Sequence, residues 1–317
     1  MTNATPTGKT VLITGGTGLV GQTLCPILLQ AGYGVIILTR RLPDSNRKPA
    51  LPGLSYALWN PDLKTIDEKA FANANIVVHL AGAGVMDQPW TQAYKAEIKN
   101  SRVESAALLV RSLASLPHSV ETVISASAIG WYGADAGGGP FVETDPAAPG
   151  FLGETCQQWE AAISPVTSTG QRLAIFRTGI VLSTAGGAMA EFLKPLRFRL
   201  ATILGSGTQM VSWIHATDLA NMMLYTIENP AVNGIYNAVA PQPVTNKQLN
   251  LALGKTLYGN AFVALPAPTF ILKLMLGQRS VEILKSANVS AQKIESAGFK
   301  FQFPAITAAL KNLLKKP

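Results

Sequence analysis

Cysteine and histidine are scarce, with two of the first and three of the second in 317 residues. Cys25 and Cys156 share no ligand spacing with each other or with His79, His118 and His215, which excludes the paired motifs of a zinc site. Such cysteine usage fits a reduced, cytoplasmic setting. Charged residues make up only 14%, without long blocks of one sign. The formal net charge is nevertheless +8. Arg40, Arg41, Arg47 and Lys48 come nearest to a cluster, and Lys311, Lys315 and Lys316 end the last helix, where basic side chains face its dipole favourably. No aromatic-basic stripe accompanies this charge, so a nucleic-acid partner is not expected. No apolar run is long enough to span a bilayer, and the start MTNATPTGKT lacks the apolar core of a signal peptide, so no membrane partner is expected either.

Apolar residues are plentiful at 48%, enough to bury a sizeable core. Thr10–Thr14 is a β-branched run followed at once by the glycine-rich Gly15–Gly21. Helical spacing of apolar residues then runs to about Ala31, Gly32 and Gly34 stop it, and Val35–Thr39 reads as a second buried strand. Strands near 55–58, 76–80, 121–125 and 173–176 follow, with helices near 90–116 and 152–168. This alternation predicts an α/β fold, a Rossmann-like doubly wound parallel sheet over residues 1–183. Beyond Arg177 the rhythm breaks. A helix near 217–228, a strand near 234–237, a helix capped by Thr245 and a helical region over 265–315 predict a smaller mixed α/β, mainly helical C-terminal cap over residues 184–317.

Gly15, Gly18 and Gly21, spaced three apart between a strand and a helix, form a dinucleotide fingerprint. Gly15 permits the tight turn, Gly18 lets a pyrophosphate approach the helix N-terminus, and Gly21 lets the helix lie close, with Thr17, Leu19 and Val20 completing the loop. Where an NAD site places an acidic residue after the second strand, the chain has Arg40 and Arg41, whose charge and fork geometry suit a 2′-phosphate. NADP(H) is the expected cofactor. Leu80, Ala81 and Gly82 end one strand, and Ser125, Ala126 and Ser127 end another, at the edge where ligands of open α/β sheets gather. His79 lies inside its strand and reads as a core histidine.

Thr14–Gly21, Val78–Gly82 and Ser125–Gly133 resemble the extended short-chain dehydrogenase/reductase family, which includes the nucleotide-sugar epimerases. Asn100–Arg102, Gln158–Glu160, Gly186–Met189, Gly205–Gly207 and the tail from Leu265 are similar to its atypical "epimerase family protein" branch, which carries a C-terminal domain of unassigned function. In the extended family a Tyr, and a Lys four residues later, precede a helical Glu and carry the proton transfer that accompanies hydride transfer. Alignment on Glu160 puts Leu152 and Cys156 in their places, and neither can do that work. The resemblance makes Ser127 the catalytic hydroxyl, with Tyr132 an alternative acid and Ser125 a competing hydroxyl. It makes Arg102 a phosphate or ribose contact and Glu97 its neighbour. Val211 stands where sugar-nucleotide epimerases have a diphosphate-binding arginine.

Arg177, ending a buried strand, should meet a carboxylate or a ligand phosphate. Asp218, just before an apolar helix, reads as an N-cap, as does Thr217. The glycine-rich loop 134–140 covers the mouth of the site, and Met189, Phe192, Gln209 and Trp213 are expected to form its cap-side wall around a small-molecule substrate. The family's four-helix contact implies a homodimer. Two functions remain: an NADP(H)-dependent oxidoreductase or epimerase-like enzyme, and a non-catalytic NADPH-binding regulator.

Overall fold

Alternation along one strand organises the molecule. In β1 (Thr10–Thr14) Val11 and Ile13 point into one apolar layer with Leu24, Leu28 and Met222, while Leu12 points into the opposite layer with Val77, Leu109 and Ile163. A strand buried on both faces must be central and must be covered by helices on each side. The computed structural model describes residues 5–43, 51–135 and 137–315, so Arg47, Lys48 and Lys316 of the basic clusters, and position 136 of the glycine-rich loop, lie outside the described residues.

Seven further strands complete the main sheet: β2 (Gly34–Thr39), β3 (Leu54–Asn60), β4 (Thr65–Ile66), β5 (Ile76–His79), β6 (Thr122–Ala128), β7 (Arg172–Thr178) and β8 (Gly234–Ala238). Their spatial order is β8-β7-β6-β5-β1-β2-β3-β4, and every pairing is parallel except that of β3 with β4. The fold is Rossmann-like. Helix Leu19–Gln30 packs with Ala216–Glu228 on one face, and Gln92–Ser115 packs with Phe151–Ile163 on the other.

The chain crosses the expected boundary at 183/184 and then returns. Residues 216–228 cover the sheet and β8 adds to its edge, in register from Gly234↔Ala174 to Ala238↔Thr178. Strand β6 also runs three residues past the expected Ser125, because Ser127 and Ala128 pair with Arg177 and Thr178. The helix expected over 152–168 ends at Ile163 and tightens into a 3-10 segment, Ser164–Thr169, where Pro165 lacks the N–H an α-turn needs.

The remaining C-terminal elements enclose a third apolar cluster around Trp213, Leu249, Leu253 and Leu310. Thr245 caps its helix as expected, in a reciprocal box: its hydroxyl accepts from Gln248 N at 3.1 Å and Gln248 Oε1 accepts from Thr245 N at 2.8 Å. The expected cap of the Ala216–Glu228 helix is corrected. His215 Nδ1 accepts from Thr217 N at 3.0 Å, while the Asp218 carboxylate accepts the N–H groups of Gln302 and Phe303 at 2.8 and 2.9 Å. Asp218 therefore fastens the C-terminal segment to the main body.

Candidate cofactor and active site

The glycine loop is shaped by close backbone approach. Gly15 has φ +69°, and a Cβ there would lie 2.8 Å from the Leu80 carbonyl carbon. A Cβ on Gly21 would lie 2.4 Å from the Gly16 carbonyl oxygen, so Gly21 brings the first helical turn onto the loop itself. Gly16, not singled out from sequence, is hemmed in by the Ile37 side chain of β2. Gly18 is the N-cap and supplies no side-chain cap, and the first turn carries no acidic residue. The helix start thus offers backbone N–H groups and the positive end of its dipole to an anion. Thr17 is exposed and its carbonyl accepts from Gln22 Nε2 at 2.8 Å. Val20 packs on the sheet, and Leu19 lies under Gly187, whose Cβ would come within 3.3 Å of it. Arg40 and Arg41 are exposed just past β2, and among the described residues their guanidinium groups have no hydrogen-bond or ion-pair partner.

A buried relay fixes the second loop. Thr14 Oγ1 accepts from Leu80 N at 3.1 Å and Ala81 N at 3.2 Å, and lies 2.8 Å from His79 Nδ1. With both acceptor positions used, the hydroxyl must donate to Nδ1, which makes the imidazole an Nε2–H tautomer facing Ser105 Oγ at 3.3 Å. Ser105 in turn donates to the Ser101 carbonyl at 2.6 Å. Burial, followed by the Arg102 charge, pushes the His79 pKa down to about 3, so the ring stays neutral.

Arg102 supports the same loop from behind. Its Nη1 donates to the carbonyls of Ala83 at 2.9 Å and Ile98 at 2.8 Å, and a Cβ on Gly82 would lie 3.0 Å from its Cζ. Its guanidinium also faces the Trp159 ring at 5.1 Å. Burial lowers its pKa from the usual arginine value. Glu97 is exposed, and no ion pair or hydrogen bond joins it to Arg102 among the described residues.

The groups expected to act in catalysis are engaged in one buried polar network. Ser127 donates to Glu160 Oε1 at 2.6 Å, and Arg177 grips both oxygens of Glu160 at 2.9 Å. Arg177 Nη1 also reaches the Tyr132 hydroxyl and the Glu143 carbonyl, each at 3.1 Å, while Tyr132 donates to Asn237 Oδ1 at 2.7 Å. The guanidinium stacks 3.6 Å from the Trp131 ring centroid. Burial opposes the Arg177 charge, yet the bonds to Glu160 and Tyr132 outweigh it and raise the pKa. Arg177 is only 1% exposed, and of the two partners open to it, a carboxylate and a ligand phosphate, the Glu160 carboxylate is the one present. Ser127 and Tyr132, 3% and 1% exposed, likewise have hydroxyls committed to protein partners. Ser125 is fully buried and bonds to the Ala126 carbonyl at 3.1 Å.

Leu152 and Cys156 make apolar contact with Gly130, where a Cβ would lie 3.3 Å from Leu152 Cβ and 3.6 Å from Cys156 Sγ. Burial pushes the Cys156 pKa up to about 11, leaving a protonated thiol. Beside them opens a cleft of about 490 Å³, lined by Trp90, Lys95, Phe151 and Leu152 and, from the C-terminal segment, by Gln278, Glu282 and Lys285 among others. Lys95 Nζ lies 5.3 Å from the Phe151 ring centroid and 5.8 Å from that of Trp90, and donates to Gln278 Oε1 at 2.6 Å.

The wall expected from Met189, Phe192, Gln209 and Trp213 is not the wall of this cleft. Met189 and Trp213 are fully buried, Phe192 packs against their cluster, and Gln209 donates to the Leu204 carbonyl at 3.0 Å. The loop after Tyr132 is tied to the C-terminal segment on both flanks, through Asp135 N to Ser286 O and Phe141 N to Asn288 O, each 2.8 Å.

A family model described as "NAD dependent epimerase/dehydratase family" matches residues 11–153, and one described as a domain of unknown function (DUF1731) matches residues 267–313. An epimerase family protein of Staphylococcus saprophyticus is 33% identical over 308 residues, covering 96% of this chain and 99% of that protein. The chain belongs to the NAD dependent epimerase/dehydratase family. Another epimerase family protein, from Mycobacterium bovis, is 31% identical, covering 97% of this chain and 98% of its own. Among solved structures, human epimerase family protein SDR39U1 (isoform 2), crystallised with NADPH, superposes with a TM-score of 0.85 at 28% identity, covering 96% of this chain and 98% of that one.

Within this epimerase-family chain, sequence reasoning missed Glu160 as the hub of the polar network and Gln278, Glu282 and Lys285 as part of a wall of the cleft. Glu160 carried a signal, since a glutamate on a largely apolar helix face must find a partner. The C-terminal residues carried none, because their position follows from long-range docking.

Proposed function

We propose that this chain is an NADP(H)-dependent oxidoreductase acting on a small, largely apolar carbonyl compound or the corresponding alcohol. The observation that carries the reading is Arg40–Arg41: two exposed guanidinium groups just beyond β2, on the strand beside the glycine loop, with no protein partner among the described residues. The backbone of Gly15–Gly21 would hold the pyrophosphate, Arg40 and Arg41 the 2′-phosphate, and Leu80–Gly82 the inner ribose and ring. The loop geometry fits, since the approaches at Gly15 and Gly21 leave a helix start bare of side-chain caps. When bound, the nicotinamide supplies a hydride.

The protein's own residues then position and enclose. Thr14, His79 and Arg102 hold the 80–84 loop in place. Ser127, Glu160, Arg177 and Tyr132 lock the ends of β6 and β7 against the Phe151–Ile163 helix as positioning residues. The aromatic and apolar lining favours an apolar substrate body, and Val211 in place of an arginine disfavours a sugar nucleotide. Following the absorbance of NADPH against a library of carbonyl compounds tests the reading, and oxidation by at least one member is expected. The apolar packing of Leu152 and Cys156 favours the second reading, a non-catalytic NADPH-binding regulator. Tight NADPH binding with no oxidation by any member would establish that regulator instead.

A further inference from the structure

The C-terminal segment brings its own charged pair into the cleft. Lys285 Nζ lies 2.6 Å from Glu282 Oε2, with the two side chains 12% and 23% exposed. The same ammonium donates to the Tyr132 carbonyl at 3.2 Å. Both residues line the cleft beside Gly130, Leu152 and Gly153, and Gly130 is the glycine against which Leu152 and Cys156 pack. Lys285 thus shares the cleft with Leu152, the helix position where the family resemblance puts the tyrosine.

We propose that Lys285 is the proton donor of this site, delivered from the C-terminal domain to replace the Tyr and Lys displaced by Leu152 and Cys156. The inference rests on the oxidoreductase reading above. Other donors at the cleft are unsuited or occupied. Leu152 has no proton to give, and the Cys156 thiol is buried and turned to the Ala128 carbonyl. Ser127 and Tyr132 point their hydroxyls into the buried network, and Lys95 sits at the other side of the cleft, over the Phe151 and Trp90 rings and bonded to Gln278, whereas Lys285 bonds to the Tyr132 carbonyl beside Gly130. Lys285 has three N–H donors, of which Glu282 and the Tyr132 carbonyl take two. One remains for a ligand.

The chemistry balances with the nicotinamide as reductant. A bound reduced nicotinamide would supply the hydride for the carbonyl carbon, and Lys285 would supply the proton with which the oxygen's freed π pair forms an O–H bond. The neutral amine then recovers a proton from water by way of Glu282. The substrate is reduced to an alcohol and the nicotinamide is oxidised. This gives the C-terminal domain a task, closing the cleft and supplying its acid.

The test uses full-length wild type, Lys285→Met and Lys285→Arg, with phenanthrenequinone as the carbonyl probe alongside the library. Three quantities are read: NADPH affinity from the fluorescence of the bound nucleotide, kcat across pH, and acetylation of Lys285 by acetic anhydride, measured by peptide mass spectrometry with and without NADP+ plus quinone. Lys285→Met is expected to lower kcat by about a hundredfold or more while NADPH affinity stays within about twofold. Lys285→Arg keeps the positive charge but holds its proton, so it should bind NADPH as wild type does and leave kcat as low as Lys285→Met; full activity in Lys285→Arg would overturn the assignment. In wild type, NADP+ plus quinone should suppress Lys285 acetylation. Wild-type turnover with Lys285→Met equally active, or acetylation unaffected by the ligands, overturns the assignment while leaving the oxidoreductase reading intact. No oxidation of NADPH by wild type with any carbonyl overturns both.

Discussion

Arg177→Met is the sharpest probe of the buried network. The substitution keeps an unbranched apolar stem but removes the cation that grips both oxygens of Glu160 at 2.9 Å. Glu160 would be left about nine-tenths buried, with the Ser127 hydroxyl still donating to Oε1 at 2.6 Å. Deleting one partner of a buried pair costs about 3–5 kcal/mol, because the other charge stays desolvated. At a urea m-value of about 3 kcal/mol per molar, the unfolding midpoint should fall by roughly 1–1.7 M. Trp131, stacked on the guanidinium at 3.6 Å, provides a local fluorescence reporter beside the far-UV signal. The double variant Arg177→Met plus Glu160→Gln should be less destabilised than the sum of its singles by at least about 1 kcal/mol, since neither charge is then orphaned. A single-variant midpoint within about 0.3 M of wild type, or strictly additive singles, would show that the Arg177–Glu160 pair contributes little to stability.

Other predictions concern the loops and the titrating groups. Gly15→Ala forces a Cβ to 2.8 Å from the Leu80 carbonyl carbon at φ +69°, so thermal stability should fall together with NADPH affinity. Arg102→Met should weaken NADPH and NADH binding by the same factor, because Arg102 supports the loop through Ala83 and Ile98; a changed preference between the two nucleotides would place its charge on the phosphate instead. Cys25 and Cys156 are each pushed up to about 11 by burial, so the folded state holds these protons more tightly than the unfolded state. Their contribution to stability is complete below about pH 9 and is lost as pH rises through 11, by about 2–3 kcal/mol per thiol; a urea midpoint flat over that window contradicts it. His79 and His215 are pushed down to about 3 and about 4 by burial, so the reverse sign applies. Stability should decline as pH falls from about 6.5 to 4, where the unfolded chain takes up protons first.

Features set by local sequence were readable and those set by long-range docking were not. Thr10–Gly21 declares a buried strand, a turn and a helix start because each residue acts on its neighbours, and the capping box at Thr245 is equally local. The alternation of strands and helices was enough to give the parallel sheet. What escaped was built across the chain. Ser127, Glu160 and Arg177 lie on three elements and meet only when β6 pairs with β7 beneath the Phe151–Ile163 helix. Strand β8 rejoins the sheet after an excursion through the cap, and no periodicity marks that return. Asp218 and Thr217 read as N-caps in sequence, yet His215 caps the helix while Asp218 binds backbone donors at Gln302 and Phe303.

Binding of NADP(H) through Arg40 and Arg41 beside the glycine loop underlies every role proposed above. Its most direct test is a fluorescence titration of wild type and Arg40→Ala plus Arg41→Ala with NADPH and with NADH. Wild type should bind NADPH more tightly, and the double variant should lose roughly 10- to 100-fold in NADPH affinity with little change for NADH, as expected when charge-assisted bonds to a phosphate are removed. Equal affinity of wild type for both nucleotides, or binding of neither, would contradict the account.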